Sequence, residues 1–249
     1  MRDLSKYIKN YEAMPFEESQ ILYRRKIVLQ ILNEFKPKNI LEVGCGMDSI
    51  ANYYQDFENF FIIEPGKQFI NKAKSDLSFL STVKFCNNYL EDDIIFLDKI
   101  DCDFIIVSSL LHEVEDKNSF LLKLKKISKP GTVIHFNVPN AKSFHRLLAL
   151  ELGLIKNIYE KSEMQSLMQQ KSKVFDLQSL ENILIKYDFK ILNSGSYFIK
   201  PFTHSQMKNL IDSSILPLNI LDGLDGMIKY LPKFGSEIYV NVINEIRSL

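Results

Sequence analysis

The chain has no tryptophan, only three cysteines in 249 residues, and no surplus charge, with 31 basic side chains against 31 acidic ones. Balanced charge removes the electrostatic footprint of a protein that binds nucleic acid or an anionic membrane over its whole surface. Cys45, Cys86 and Cys102 show neither C-x-x-C nor zinc-ligand spacing, and an odd count argues against a disulfide framework, so they read as buried thiols of a reducing compartment. No apolar run approaches the roughly 20 residues of a membrane span. Met1-Arg2-Asp3-Leu4-Ser5-Lys6 lacks the apolar core of a signal peptide. The expectation is a cytoplasmic protein with neither a membrane nor a nucleic-acid partner. The hydrolase elbow G-x-S-x-G and the metal-binding H-E-x-x-H are also absent, and Asp101 with Asp103 merely flanks a strand start. No metal site is expected. Heavy use of lysine, isoleucine and asparagine points to an AT-rich bacterial genome.

What is present is a packed globular chain, 46% hydrophobic, long enough for one α/β domain with an elaboration. Its most informative stretch is Asn39-Ile40-Leu41-Glu42-Val43-Gly44-Cys45-Gly46-Met47-Asp48, followed after a helix-length gap by Phe60-Phe61-Ile62-Ile63-Glu64-Pro65. An apolar strand that ends in a glycine turn lets backbone approach a ligand closely. An acid at the tip of the next parallel strand, about 20 residues on, can grip a ribose diol. The pattern points to a nucleoside-cofactor site. A dinucleotide fingerprint G-x-G-x-x-G would need glycine where Ser49 stands.

Apolar runs predict five parallel strands at Ile40–Val43, Phe60–Glu64, Val83–Cys86, Phe104–Ser108 and Thr132–Val138. Helical periodicity covers Phe16–Phe35, closed by Pro37, and then stretches near Ile50–Tyr54, Gln68–Asp76 and Asn118–Ile127. After the fifth strand come helical segments Phe144–Leu154 and Ser162–Gln170 and a helix capped by Asp176 and running to Tyr187. Strands follow near Lys190–Asn193 or beyond and at Ile238–Ile243. Ligands of such sheets sit beyond the carboxyl ends of the strands, where Glu64, Tyr89, Leu90, His112 and Asn140 fall. Tyr7, Tyr11 and Phe16 read as a cap on the core, with folding over the cofactor as the alternative.

Glu42-Val43-Gly44-Cys45-Gly46-Met47-Asp48-Ser49 followed by Ile62-Ile63-Glu64-Pro65 resembles the first two motifs of the class I S-adenosylmethionine (SAM)-dependent methyltransferases. The resemblance extends through the order of strands over most of the chain. It departs at Asp48, where many members carry a third glycine. The likeness implies a Rossmann-like α/β fold with a mainly parallel seven-stranded sheet, its last strand antiparallel, and helices on both faces, to which this chain's own insertion adds a helical lid. It implies one domain over 1–249, with an N-terminal helical cap at 1–36. Helical segments at 141–175 and 201–235 read as substrate-lid elements; the second replaces the modest connection that most members have between their last two strands, and its apolar residues around Ile215–Leu224 leave a subunit interface as the alternative. The likeness also implies SAM as cofactor and S-adenosylhomocysteine (SAH) as product. Glu42, Gly44, Cys45 and Gly46 would form the loop under the methionine end, and Glu64 with Pro65 would hold the ribose. Tyr89, Leu90 and Glu91 would flank the adenine, and Ser108 would lie beside the bound cofactor.

Methyl transfer to a hydroxyl gains from a general base. His112, in Ser108-Ser109-Leu110-Leu111-His112-Glu113-Val114-Glu115, is the candidate, with Glu113 or Glu115 to orient it; packing against the next helix is the alternative. Asn137-Val138-Pro139-Asn140-Ala141-Lys142-Ser143-Phe144-His145-Arg146 combines turn formers with donors for a carboxylate, phosphate or sugar hydroxyl. Asn140, His145, Arg146 and His204 are therefore the candidate substrate contacts, while a solvated helix start is the competing reading for His145 and Arg146. Together with the His112 loop and Phe198-Ile199-Lys200-Pro201-Phe202, this segment is similar to methyltransferases of bacterial surface-polysaccharide, including capsular, and small-molecule biosynthesis. The expected reaction is methylation of an oxygen, in preference to a nitrogen, of a small polar acceptor such as a sugar or nucleotide-linked glycan precursor. The alternatives are a nicotinamide-dependent oxidoreductase, disfavoured by the missing glycine and the lack of Tyr-x-x-x-Lys, and a non-catalytic cofactor-binding regulator. Neither the acceptor's identity nor the oligomeric state can be read from the chain.

Overall fold

The computed structural model describes residues 14–92, 100–161 and 174–245. In chain order the elements are α1 (Glu17–Phe35), β1 (Asn39–Val43), β2 (Asn59–Ile63), α2 (Lys67–Asp76), β3 (Val83–Cys86), β4 (Phe104–Ser108), α3 (Lys117–Ile127), β5 (Val133–Pro139), α4 (Phe144–Glu151), α5 (Leu177–Lys186), β6 (Phe189–Tyr197), α6 (His204–Asp212), α7 (Ile220–Gly226) and β7 (Glu237–Asn244). The strands form one seven-stranded sheet of order β3-β2-β1-β4-β5-β7-β6, and β7 runs antiparallel to both its neighbours. The expected α/β architecture is thereby met.

Alternation along the strands splits the core in two, because successive side chains point to opposite faces. Leu41, Val43, Phe61, Ile63, Ile105, Val107, Ile134 and Phe136 pack with α3 and α5 through Phe120, Leu121, Leu124, Leu180 and Leu184. Ile40, Phe60, Ile62, Phe104 and Ile106 face the other way, toward Val28, Ile31 and Leu32 of α1 and Ile70 and Ala73 of α2. With both faces covered, the carboxyl edge of the sheet is the place left for a ligand. The start of β7 lies at that same edge, since Glu237 pairs with Pro139 and Tyr197.

A third apolar cluster of Phe16, Tyr23, Tyr197, Phe198, Met207 and Leu221 binds α1 to the segment between β6 and β7. Tyr23 stacks on Phe198 with ring centroids 4.3 Å apart, and its hydroxyl donates to Asp222 at 3.0 Å. Phe16 is buried here, as a core cap should be; Tyr7 and Tyr11 lie outside the described residues, as does the expected helix at Ser162–Gln170.

Two local expectations are corrected, the helix after β1 and the burial of Cys86. The helix near Ile50–Tyr54 is a single 3-10 turn at Ile50–Asn52, because Ser49 caps it and the buried Glu42 carboxylate holds Ser49 Oγ and the Ile50 N–H. The sixth strand does run beyond Lys190–Asn193: after a register shift between Ile191 and Asn193 it continues beside β7 to Tyr197. Cys86 is half-buried, whereas Cys45 and Cys102 are buried. As expected, Asp176 caps its helix, in a reciprocal capping box with Ser179.

Candidate active site

At the carboxyl edge a cavity of about 520 Å³ opens between α1 and the loops after β1, β2, β3 and β4. Of the cofactor-site candidates, Glu42, Gly44, Cys45, Gly46, Glu64, Pro65, Tyr89, Leu90, Glu91 and Ser108 all line it. The loop after β1 makes the floor. Gly44 and Gly46 have φ of 78° and 55°, the left-handed region that favours glycine. A methyl built on Gly44 would come within 3.2 Å of Leu110 Cδ2, whereas one built on Gly46 would meet no atom within 4 Å. The first glycine serves packing, and the second leaves open space beside the cavity.

Glu64 is 6% exposed and faces that loop. Its Oε2 accepts the Gly46 N–H at 3.2 Å and its Oε1 the Gly66 N–H at 2.7 Å. Each oxygen keeps a lone pair for a further donor, as a ribose diol requires. Burial pushes its pKa up to about 7 against the two N–H bonds, which lower it. Glu42 is likewise raised to about 7 by burial, but both its oxygens serve the turn at Ser49 and Ile50, which makes it a brace for the loop. Burial also raises the carboxyl of Glu91 and the thiol of Cys45, favouring their neutral forms. An open cradle at Gly46, an acid with two free lone pairs and half-buried walls at Tyr89 and Glu91 fit a nucleoside bearing an amino-acid side arm.

The loop after β4 is set by a buried polar chain. Asn137 Oδ1 accepts the Ser109 N–H at 2.8 Å, and Asn137 Nδ2 lies 2.9 Å from both Ser108 Oγ and His135 Nε2. His135 Nδ1 meets Asn241 Oδ1 at 2.8 Å. His135 is thus a satisfied core residue, and burial lowers its pKa to about 4. His112 is buried just past this turn and does not line the cavity, although Leu110 and Glu113 do. Its Nε2 is 3.6 Å from Glu113 Oε1.

The substrate candidates divide. Asn140 is buried, its amide donating to the carbonyls of Lys233 and Gly235 while Oδ1 accepts from Lys142 N, so the structure places it as a fastener for the approach to β7. Arg146 donates to the carbonyls of Ile158 and Glu160, clamping the loop after α4. His145 and His204 instead lie near Lys200, whose charge, after burial, lowers the pKa of each. Sequence reasoning missed Glu17, Arg24 and Glu237. Arg24 donates to Glu237 through Nε at 3.0 Å and Nη2 at 2.5 Å, and to Glu17 at 3.2 Å, while Tyr197 also donates to Glu237. Arg24 lines the cavity, and one signal was available: Glu17 and Arg24 sit two turns apart on one face of α1.

Among the described residues no helix is long and apolar enough to cross a membrane, and no group of three or more His, Cys, Asp or Glu is placed to hold a metal ion.

The methyltransferase-domain family matches residues 17–194. No curated protein matches the chain. Among solved structures, it is similar to the N-methyltransferase NodS from Bradyrhizobium japonicum WM9 in complex with SAH. That likeness has a TM-score of 0.56 and 13% identity over 93% of this chain and 88% of that one. A possible histamine N-methyltransferase from Thermotoga maritima aligns with TM-score 0.57 and 14% identity, covering 92% and 94% of the two chains. A SAM-dependent methyltransferase from Mesorhizobium loti gives 0.57 and 13%, covering 83% and 90%. At such identities the likenesses speak for the fold, while the family match spans more than half the chain. The nicotinamide and non-catalytic readings give way: the chain belongs to the methyltransferase-domain family, as a class I SAM-dependent methyltransferase with SAM as its cofactor.

Proposed function

We propose that the enzyme methylates an oxygen, in preference to a nitrogen, of a small polar metabolite, with a sugar or nucleotide-linked precursor of bacterial surface glycans as the preferred acceptor. The observation that carries the oxygen reading is His112, buried beyond the end of β4, with Glu113 at 3.6 Å linking it to the cavity wall. Bound in the cavity, SAM supplies an electrophilic methyl on a sulfonium sulfur. Glu64 holds the ribose, the space at Gly46 takes the methionine end, and Tyr89, Leu90 and Glu91 flank the adenine. His112 accepts the acceptor's hydroxyl proton, and the Glu113 carboxylate stabilises the imidazolium that forms. The segments 141–175, of which 162–173 lie outside the described residues, and 201–235 would act as the lid that keeps water away from the reacting atoms.

The test is SAH release across matched alcohol and amine acceptors. The expected result is turnover of hydroxyl acceptors that falls by about 10²-fold or more in His112→Ala, with SAH affinity unchanged. Full activity of that variant, or turnover confined to amines, would overturn the reading.

A further inference from the structure

Beside the cofactor cavity, at the same edge of the sheet, five polar side chains from three parts of the chain gather around residues 233–236. Gln20 of α1 donates from Nε2 to Ser236 Oγ at 3.0 Å. The turn bearing Ser143 and His145 is tied to the same segment, since Asn140 N donates to Ser236 O and Phe144 N to Phe234 O. The link bearing Lys200 and His204 is tied to it by Ser236 N donating to Phe198 O at 2.7 Å. Around this junction Gln20 Oε1, Ser143 Oγ and His145 Nδ1 are buried and have no hydrogen-bond partner among the described residues. Lys200 is 5% exposed and likewise makes no hydrogen bond or ion pair among the described residues.

A buried polar atom left without a partner costs about 1–3 kcal/mol, so several at one junction mark the place of a polar ligand. Their chemistry points to an anion. Lys200 offers an ammonium, Ser143 a hydroxyl, and His145 an N–H in the tautomer protonated at Nδ1. A flip of the Gln20 amide keeps a bond to Ser236, whose hydroxyl then donates, and turns the NH₂ group toward the ligand. The charged and titratable groups facing Lys200 are Glu17 and Arg24 from α1, His145 from α4, His204 from α6 and Glu237 from β7. Of these, the two carboxylates are already engaged by Arg24, leaving the ammonium beside two imidazoles. Phe16, with its ring 5.9 Å from that of His204, adds an apolar wall.

We infer that this junction is an anion subsite for the acceptor, in which Lys200, Ser143 and His145 hold a carboxylate or phosphate group while the acceptor's nucleophile reaches the cofactor cavity. The inference rests on the methyltransferase reading above and deepens it: the acceptor is an acid or a phosphate ester.

The experiment follows the ring resonances of the four histidines by NMR in the SAH-loaded chain, titrated with inorganic phosphate, with benzoate, and with benzamide as the uncharged control. The expected result is a shift of the His145 and His204 signals with at least one anion and none with benzamide. A response to phosphate alone assigns a phosphate ester, and one to benzoate alone a carboxylate. Lys200→Met should weaken the anion by about tenfold or more with SAH affinity unchanged. His145→Gln repeats this test should Lys200→Met fail to fold. No shift with either anion, an equal response to benzamide, or undiminished binding in the folded variant would overturn the subsite. Failure to bind SAH would strike the functional reading instead, because the same titrations without SAH still decide the anion site.

Discussion

Arg25 Nη2 donates to Asp48 Oδ2 at 2.5 Å, tying the N-terminal helix to the glycine loop. Asp48 also accepts from Asn52 Nδ2 and Tyr53 Oη, and the Arg25 guanidinium lies 3.7 Å over the Tyr53 ring. Many relatives of the class resembled have a third glycine at this position; here a carboxylate joins two walls of the cavity. Because the pair is partly buried, its loss costs more than a surface ion pair, on the order of 1 kcal/mol. Arg25→Ala should therefore weaken SAH about fivefold in a calorimetric titration. Asp48→Gly should weaken it as well, even though it restores the commoner glycine. A tighter Asp48→Gly complex would show that the loop needs flexibility more than the latch.

Glu64 makes cofactor affinity depend on pH, with a sign that follows from its raised pKa of about 7. A ribose diol donates to the ionised carboxylate, so affinity for SAH should rise by about tenfold per pH unit up to about pH 7 and level off above it. Folding runs the other way. An acid whose pKa is higher folded than unfolded contributes stability present at low pH and lost as pH climbs from its unfolded value of 4.5 to about 7. Glu64→Gln should flatten the binding profile, leaving any slope due to Glu42, which is also raised to about 7. A profile that keeps its full slope in the variant would move the titration to Glu42.

Much of the fold, and the gathering of the candidate cofactor residues around one cavity, were legible in the sequence, because they are written in contiguous residues. The apolar runs around Ile40, Phe60, Phe104 and Ile134 read as buried strands, and Gly44, Gly46 and Glu64 are picked out by backbone freedom and spacing. The acceptor side was not legible in the same way. Glu17, Arg24, Lys200 and Glu237 meet only because α1 folds over the far end of β6 and β7, and no local pattern announces a contact across more than 200 residues. Asn140 and Arg146 show the converse limit of reading by residue type. Their donors suit a ligand by type, yet the structure gives them to backbone carbonyls that would otherwise lack partners.

Arg24 is bound to two buried carboxylates, with side chains 12%, 10% and 4% exposed for Arg24, Glu17 and Glu237. Arg24→Met keeps the apolar stem and leaves Glu237 uncompensated. Breaking a buried pair from one side costs about 3–5 kcal/mol, which for a chain of this size is a fall of about 10 °C in melting temperature. Glu17→Gln should cost much less, because burial already raises its pKa and favours the neutral form. Calorimetric melting of the two variants at neutral pH checks the order, and equal losses would contradict it.

Ser109 takes φ of 52° at the cavity wall although it is not glycine. A left-handed residue with a side chain carries a penalty of about 1–2 kcal/mol, and here its N–H is held twice by one residue, by the main-chain oxygen of Asn137 at 3.0 Å and by its Oδ1 at 2.8 Å. Asn137→Ala removes the second hold, and with it the hydrogen bonds to Ser108 Oγ and His135 Nε2 deep in the sheet. Stability should fall by about 2 kcal/mol, and SAH affinity with it, since Ser108 lines the cavity. Ser109→Gly relaxes the strain while keeping the N–H, so it should hold or raise the melting temperature. Combined with Asn137→Ala it should recover part of the loss. Denaturant titrations of the two single variants and the double variant measure that coupling. Strictly additive effects would show that Asn137 acts on the sheet alone and leaves the turn at Ser109 to its own backbone.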